Sequence, residues 1–316
     1  MTVEILDLRH FSSSDLRPLL EEEAAIWLRK LLWEYGSAAE MILRYIDAKI
    51  LPGYAAVERG RVLGYCFFVY EGAKGVVGDL FVDPDLGERR TAVETELLQS
   101  VIDTLQQSPG VHRVEAQLLI HEPGAAAGPF LEEGFSRYPR LFMLLPIGDV
   151  PRSSAPALPP EVEIRGWREH DYQPAAALIT AAYHGHVDAD INDQYRTVTG
   201  ALRFLNNIVR FPGCGVFDVE GSFVAVHKPT KSNIGMILCS RVRNDVGHIT
   251  QVCLRPEFRN LGIGEQLIET SWNALRRRGF HELTLTVTEA NARAVTLYKR
   301  LGFEVMHVFD AFVWEG

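Results

Sequence analysis

The sequence predicts an α/β fold, a mixed sheet of the α+β kind, laid out as two similar domains. Three observations carry this. The chain has 316 residues, more than one hydrophobic core comfortably organises and a good length for two domains of roughly 150 residues each. Residues 150–160, Val-Pro-Arg-Ser-Ser-Ala-Pro-Ala-Leu-Pro-Pro, contain four prolines. These remove backbone donors and stiffen the chain, so the stretch reads as a linker. The sequences on either side repeat one order of elements, the signature of an internal duplication. The expected division is a domain at 1–149, the linker at 150–160 and a second domain at 161–316.

Each half opens with a short strand and a helix, VEILDLRHFSSSDLRPLL from Val3 and VEIRGWREHDYQPAAALI from Val162. Segments rich in β-branched and aromatic residues follow, at 54–57, 62–70 and 76–82 in the first half and at 215–219, 222–226, 234–240 and 248–254 in the second. A strand-to-helix junction comes next, VDPDLGERRTAVETELLQSVIDTL against LRPEFRNLGIGEQLIETSWNAL. Another strand leads to a short helix that closes on Gly-Phe, as FLEEGF at 130–135 and YKRLGF at 298–303.

Composition excludes several classes. Apolar and charged residues stand at 47% and 23%, ordinary globular usage. No apolar run of 18 residues is present, so no membrane span or membrane partner is expected. The first residues lack the basic start, apolar stretch and cleavage site of a signal peptide. Cys66, Cys214, Cys239 and Cys253 are scattered without a C-x-x-C pair, which fits reduced thiols in a cytoplasmic protein. The net charge of −9 argues against a nucleic-acid partner. Residues 1–150 carry that whole excess, whereas 255–300 hold eight basic and five acidic residues. A locally basic pocket in an acidic protein suits an anionic ligand, and a mixed surface would give the same counts. The oligomeric state is not legible.

The most informative stretch is Leu254-Arg-Pro-Glu-Phe-Arg-Asn-Leu-Gly-Ile-Gly264. Pro256 ends a strand because it cannot donate to a ladder. A helix begins near Gly264, with Leu267, Ile268, Trp272 and Leu275 at helical spacing, Arg276–Arg278 in the last turn and Gly279 as the stop. Between them, Arg259-x-x-Gly262-x-Gly264 gives bare backbone whose N–H groups, at the positive end of a helix, make an anion site. The dinucleotide pattern G-x-G-x-x-G and the P-loop pattern G-x-x-x-x-G-K-[ST] are both missing. One strand later, residues 281–288 alternate Leu283, Leu285 and Val287 inward as a half-buried strand. A short helix follows. Asn291 stands at its cap, and Asn291, Ala294 and Tyr298 share one face.

These two motifs, V/L-x-P-x-x-R-x-x-G-x-G and, after a strand, N-x-x-A-x-x-x-Y-x-x-x-G-F, span about 50 residues and resemble the hallmarks of the GNAT superfamily of N-acetyltransferases. The resemblance implies a tandem GNAT fold with acetyl-CoA as acyl donor. It implies that Arg259, Asn260, Leu261, Gly262, Ile263 and Gly264 hold the CoA pyrophosphate and that Val252, Cys253 and Leu254 flank the pantetheine arm and thioester. A backbone N–H near Val252 or Cys253 would then meet the oxyanion. It also implies that Asn291 contacts the cofactor arm and that Tyr298 is the general acid for the departing thiolate. No metal is implied.

An attacking amine must arrive neutral, so a base is expected. His248, on the preceding strand, is the first candidate, and Gln251 and Glu289 are weaker ones. Length and plan also resemble the tandem-domain mycothiol synthases, which place a carboxylate at the strand position of His248. The acceptor loop of the family corresponds to residues 183–195, which hold His184, His186, Asp188, Asp190 and Asp193; an acidic, hydrogen-bonding pocket for a cationic amine is expected of them, with a plain solvated loop as the alternative. The His-x-His-x-Asp spacing would also admit a metal ion.

Aligning Pro84 with Pro256 sets Gly87, Arg90 and Ala92 opposite Arg259, Gly262 and Gly264. Aligning the Gly-Phe pairs sets Phe130 opposite Tyr298 and Pro123 near Asn291. The first half keeps the landmarks of the fold without the groups for chemistry, and is expected to be a degenerate GNAT-like domain. The expected function is acetyl transfer to a primary amine, of a small molecule first. A protein N-terminus or lysine as acceptor, or a non-catalytic CoA-binding module, are the alternatives.

Overall fold

The computed structural model describes residues 3–148, 154–210 and 215–316. The chain divides into two compact units, residues 1–140 with 307–316 and residues 141–306. The expected border at 149 therefore differs from the observed one: residues 141–148 count with the second unit and the ten residues 307–316 with the first.

In the first unit, β1 (Glu4–Asp7) leads to α1 (Ser13–Leu31) and α2 (Gly36–Asp47). Ser12 starts α1 through a capping box with Asp15, its N–H meeting Asp15 Oδ2 at 2.8 Å. Strands β2 (Gly53–Glu58), β3 (Arg61–Glu71) and β4 (Lys74–Val82) form an antiparallel meander. Helix α3 (Arg90–Gln107) then crosses over to β5 (Arg113–Gln117), which lies parallel to β4, and α4 (Ala127–Glu132) follows. Residues 311–315 pair antiparallel with β5. Leu97, Leu98, Val101, Ile102 and Leu105 of α3 pack on Val77, Leu80 and Val114 of the sheet.

The second unit takes residues 141–146 of β6 (Ser136–Pro146) beside its own strands. Ile147 N–H donates to His281 O at 2.6 Å. The elements are β7 (Val162–Gly166), α5 (Tyr172–Tyr183), α6 (Val187–Ile191), α7 (Val198–Arg210), β8 (Val216–His227), β9 (Ser232–Arg243), β10 (Val246–Leu254), α8 (Ile263–Arg277), β11 (Glu282–Thr288), α9 (Ala292–Arg300) and β12 (Glu304–Glu315). The strand order β6-β11-β10-β9-β8-β7 mirrors the order of the first unit, where residues 307–315 of β12 take the place that β6 takes here. Helices α5 and α7 cover one face through Ala176, Leu178, Ile179 and Leu205. Helix α8 covers the other, where Leu267 and Leu275 lie close against Gly235 and Gly247.

Several sequence expectations are revised. Segments 215–219 and 222–226 are one strand, β8, because Asp218 closes a bulge: its Oδ1 accepts Gly221 N–H at 2.7 Å and its carbonyl accepts Ser222 Oγ at 2.7 Å. The expected acceptor loop holds α6 and a 3₁₀ turn at Asp193–Arg196. β11 is buried on both faces, Thr284 and Thr288 as fully as Leu283, because sheet neighbours and helices enclose it. Of the expected linker, residues 150–153 lie outside the described residues, as does Cys214. Its later part is fixed to α8. Ser154 N–H, Ser154 Oγ and Ala155 N–H all donate to Oε1 of the buried Glu269, and Gln266 Nε2 donates to Pro156 O at 2.7 Å. Cys66, Cys239 and Cys253 are free, buried thiols. Among the described residues, no helix is long and apolar enough to cross a membrane.

Candidate active site

The second unit contains a cavity of about 530 Å³. Its floor comes from the way β10 and β11 separate. Their parallel ladder runs from Val246–Glu282 to Ile249–Leu285. Beyond it, residues 250–254 of β10 and 286–287 of β11 line the cavity. A bulge on β10 sits at this point. Ile249 faces Cys239 and Gln251 faces Leu238, leaving Thr250 as the extra residue, its Oγ1 held by Leu238 O at 3.2 Å. A bulge re-aims the side chains that follow it. Cys253 joins the core under α5, while the side chain of Leu254 reaches Gly264 of α8.

One end of the cavity is built by the turn into α8. Arg259, Asn260, Gly262, Ile263 and Gly264 line it, and Leu261, 44% exposed, points away. Asn260 and Gly262 both take positive φ, 66° and 76°, a geometry that turns successive amides to one side. Gly262 is doubly constrained. Besides its left-handed φ, an added Cβ would lie 3.1 Å from the Pro156 ring of the strap tied to α8. The first-turn amides of α8 have no partner within the helix by construction, and the helix dipole favours negative charge there. Arg259, Arg293 and Arg300 add cations to the lining. Arg259 donates to Ala182 O at 2.6 Å, Arg293 to Asn260 Oδ1, and Arg300 pairs with Glu265. The arrangement fits a pyrophosphate.

The other end gathers Tyr298, Asn291, Tyr183, His186, Asp188 and Gln251. Asn291 caps α9, its Oδ1 accepting Ala294 N–H at 3.2 Å, which fixes the helix phase that turns Tyr298 inward. The Tyr298 ring lies edge-on to Phe303, 5.7 Å between centroids. Burial pushes its phenol above the ordinary value, and the negative charge of Asp188 adds to this. The phenol is therefore a neutral donor at working pH. Asp188 is held by the buried Thr288, whose Oγ1 donates to Oδ1. Its Oδ2 lies 3.4 Å from His186 Nδ1, and that nitrogen accepts Asp188 N–H at 3.1 Å. Tyr183 stacks on Tyr195 at 4.6 Å, and Tyr195 meets Phe204 edge-on at 4.9 Å.

His248 is not part of this cavity. It sits where β10 is still laddered to β11, opposite Thr284, so no gap opens beside it. Its Nδ1 shares a 2.9 Å hydrogen bond with Thr284 Oγ1, its ring stacks on Phe142, and burial lowers its pKa to about 4. Gln251 does reach the cavity, 5% exposed, with Oε1 taking Tyr195 OH at 3.4 Å and Nε2 beside the Cys253 thiol without a hydrogen-bond partner among the described residues. An amide carries no basic nitrogen and cannot serve as the base. Glu289 is exposed and outside the cavity. His184 and Asp190 are also exposed and outside it, Asp190 3.7 Å from Arg196. Tyr183, Tyr195 and Thr288 were not singled out from the sequence. The two tyrosines bracket the His/Asp-rich segment, and that is the signal that could have found them. Among the described residues, no group of three or more His, Cys, Asp or Glu is placed to hold a metal ion.

The matching region of the first unit is filled. The β4–β5 ladder runs from Lys74–Arg113 to Val77–Ala116. Past it, His121 Nε2 bonds Leu80 O at 2.9 Å, and Leu80 aligns with Val252. Arg90 donates to Glu94 at 2.8 Å, and Phe130 is fully buried in a stack on Phe312 at 4.2 Å.

Residues 191–303 match the model of the Acetyltransferase (GNAT) family. A mycothiol acetyltransferase of Corynebacterium jeikeium is 39% identical over 61 residues, 19% of this chain and 18% of that protein. One of Saccharomonospora viridis is 26% identical over 282 residues, 86% of this chain and 78% of that protein. The chain thus spans only a fifth of the first relative and most of the second. Among solved structures, a GCN5-related N-acetyltransferase from Sphaerobacter thermophilus superposes with a TM-score of 0.69 at 19% identity, covering 99% of this chain and 95% of that one. A tandem GNAT protein from the clavulanic acid biosynthesis pathway gives 0.57 at 16%, covering 99% and 98%.

Proposed function

We infer, from the premise that this chain belongs to the GNAT superfamily of acetyltransferases with two such folds in tandem, an acetyl-CoA-dependent transfer of an acetyl group to a primary amine. One observation carries this reading: a single cavity joins a glycine-bearing helix start with three arginines to an inward-facing tyrosine. In this reading the pyrophosphate rests on the amides of 262–264, and the pantetheine arm lies along residues 252–254, where β10 has left its ladder. The amine's lone pair attacks the thioester carbonyl, and the oxyanion meets a backbone N–H of β10 just past the bulge. The Tyr298 phenol, kept neutral by burial, gives its proton to the leaving thiolate. A small acceptor suits the end walled by Tyr183, His186 and Asp188. A cytoplasmic setting fits three buried free thiols.

The first unit is, in the same reading, a degenerate copy. His121 occupies the carbonyl where a pantetheine arm would bind, and Phe130 has no proton to give. Calorimetry on the full chain is expected to show one acetyl-CoA site per chain, and a panel of small primary amines is expected to contain at least one that drives CoA release. Two equivalent sites would remove the claim of degeneracy. No binding and no release would remove the acetyltransferase reading itself.

A further inference from the structure

We propose that Asp188 is the general base of the reaction, with His186 passing the proton on to solvent; this rests on the acetyltransferase reading above. Two carboxylates line the cavity, Glu265 and Asp188. Glu265 is neutralised by Arg300 at the pyrophosphate end. Asp188 stands at the reacting end, and no lysine or arginine pairs with it among the described residues. One of its oxygens is committed: Thr288, the residue that ends β11, donates to Oδ1. This anchors the carboxylate to the turn that leads into α9 and Tyr298. The other oxygen, Oδ2, is left for a ligand and for His186 Nδ1, 3.4 Å away.

Two phenols feel the charge of Asp188, and the Arg259 guanidinium that bonds Ala182 O is the cation of the same wall. Tyr183 at the end of α5 and Tyr298 on α9 are phenols, and both are pushed above their ordinary values, by burial first and with Asp188 among the charges that add to it. Cys253 on β10 also lines the cavity, a buried thiol held neutral, its pKa pushed up to about 12 by burial against the opposing pull of Gln251 and Arg259. The nearest titratable base is His186. Its Nδ1 accepts the Asp188 backbone N–H, so the ring proton of the neutral imidazole is assigned to Nε2, and the one Nδ1 lone pair must leave that N–H to take a proton from Oδ2, 3.4 Å away. A half-buried carboxylate facing neutral phenols is a receptor for an ammonium ion.

The proton balance closes. The acceptor binds as R–NH₃⁺ against Asp188. One proton moves to Oδ2, then to His186 and on to solvent, since the His186 side chain is 26% exposed. The neutral amine attacks, a C–N bond forms and the C–S bond breaks. The thiolate takes the Tyr298 proton, and the phenolate recovers one from the new ammonium nitrogen. Amide, CoA thiol and one released proton result, with no other reactant.

The test is Asp188→Asn, which keeps the shape and an oxygen for Thr288. Two acceptors turned over by the wild type are compared: an alkylamine, charged at pH 7, and a weakly basic amine such as methoxyamine, neutral at pH 7. For the alkylamine, kcat/KM is expected to fall roughly 10²–10³-fold and to lose its plateau on the acid side of the pH profile. The weakly basic amine should lose less than about tenfold, and the acetyl-CoA Kd should not change. His186→Gln should give a smaller loss with the same ordering of amines. A wild-type pH profile in Asp188→Asn, or an equal loss with both amines, would overturn the assignment while leaving the acetyltransferase reading standing. A wild type that releases CoA with no amine would overturn both.

Discussion

Tyr298 is one of ten tyrosines in the chain, and its spacing from Asn291 and from the Gly302-Phe303 pair is what marks it. Spacing gives its face on α9 but says nothing of its neighbours. The structure adds that the phenol is buried and shares its end of the cavity with Asp188. Tyr298→Phe is expected to cut turnover by roughly 10²–10⁴-fold, the usual range for one general acid. Acetyl-CoA affinity should barely move, because in the proposed mechanism the hydroxyl acts on the leaving thiolate. Single-turnover rates measured by rapid quench check this, and a full rate in the variant would take Tyr298 out of the mechanism. Gly262 was equally legible as bare backbone. The Pro156 ring against it was not, because no local pattern tells that a proline 106 residues earlier folds back onto the same turn.

At the scale of elements, the strands and α8 were readable from their periodicity, whereas the bulge in β10 was not. A sequence of alternating side chains carries no mark of where one residue slips out of register, and that slip decides what lies beside the cavity. His248 looked like a site residue because it lies on the strand that leads into the cofactor motif and an imidazole ordinarily titrates near neutrality. The ladder with β11 is still closed there, so it became part of the packing between β10, β11 and residues 141–146. This placement makes β10 acid-sensitive. The unfolded chain binds a proton at His248 from about pH 6.5 downward, whereas the folded chain resists it until about 4. Stability is therefore fully present above pH 6.5 and drains away as the pH falls to 4, by about 3 kcal/mol if this residue acts alone. Urea unfolding at pH 7 and pH 4.5 should show a loss of stability in the wild type that is clearly smaller in His248→Gln. Equal losses would assign the acid sensitivity to other groups.

On the scale of the whole molecule, the duplicated plan was legible in the repeated landmarks, whereas the proline-rich stretch at 150–160, read as the linker, is not where the two compact units divide. What stayed hidden was that the first unit is made of two separate runs of sequence, residues 1–140 and 307–316, with the whole second unit between them. A strand that leaves one half and completes the other produces no compositional signal, since β12 reads like any closing strand. Cutting the gene at residue 149 is thus expected to give two fragments that each lack an edge strand. The fragment 1–149 would expose the free edge of β5, which pairs with residues 311–315 in the intact chain. Exposed edges of this kind template association, so light scattering should find the separate fragments aggregating and the co-expressed pair soluble. A soluble, monomeric 1–149 fragment would contradict this.

The same arrangement sets an order of events in the cell. The ribosome delivers residue 140 more than 160 residues before residue 307. During that interval the first half can collapse but cannot close its sheet, so it must wait, open-edged, for a partner strand still being made. The half that is born first is finished last, and the period of greatest exposure to chaperones and to neighbouring nascent chains falls within synthesis itself.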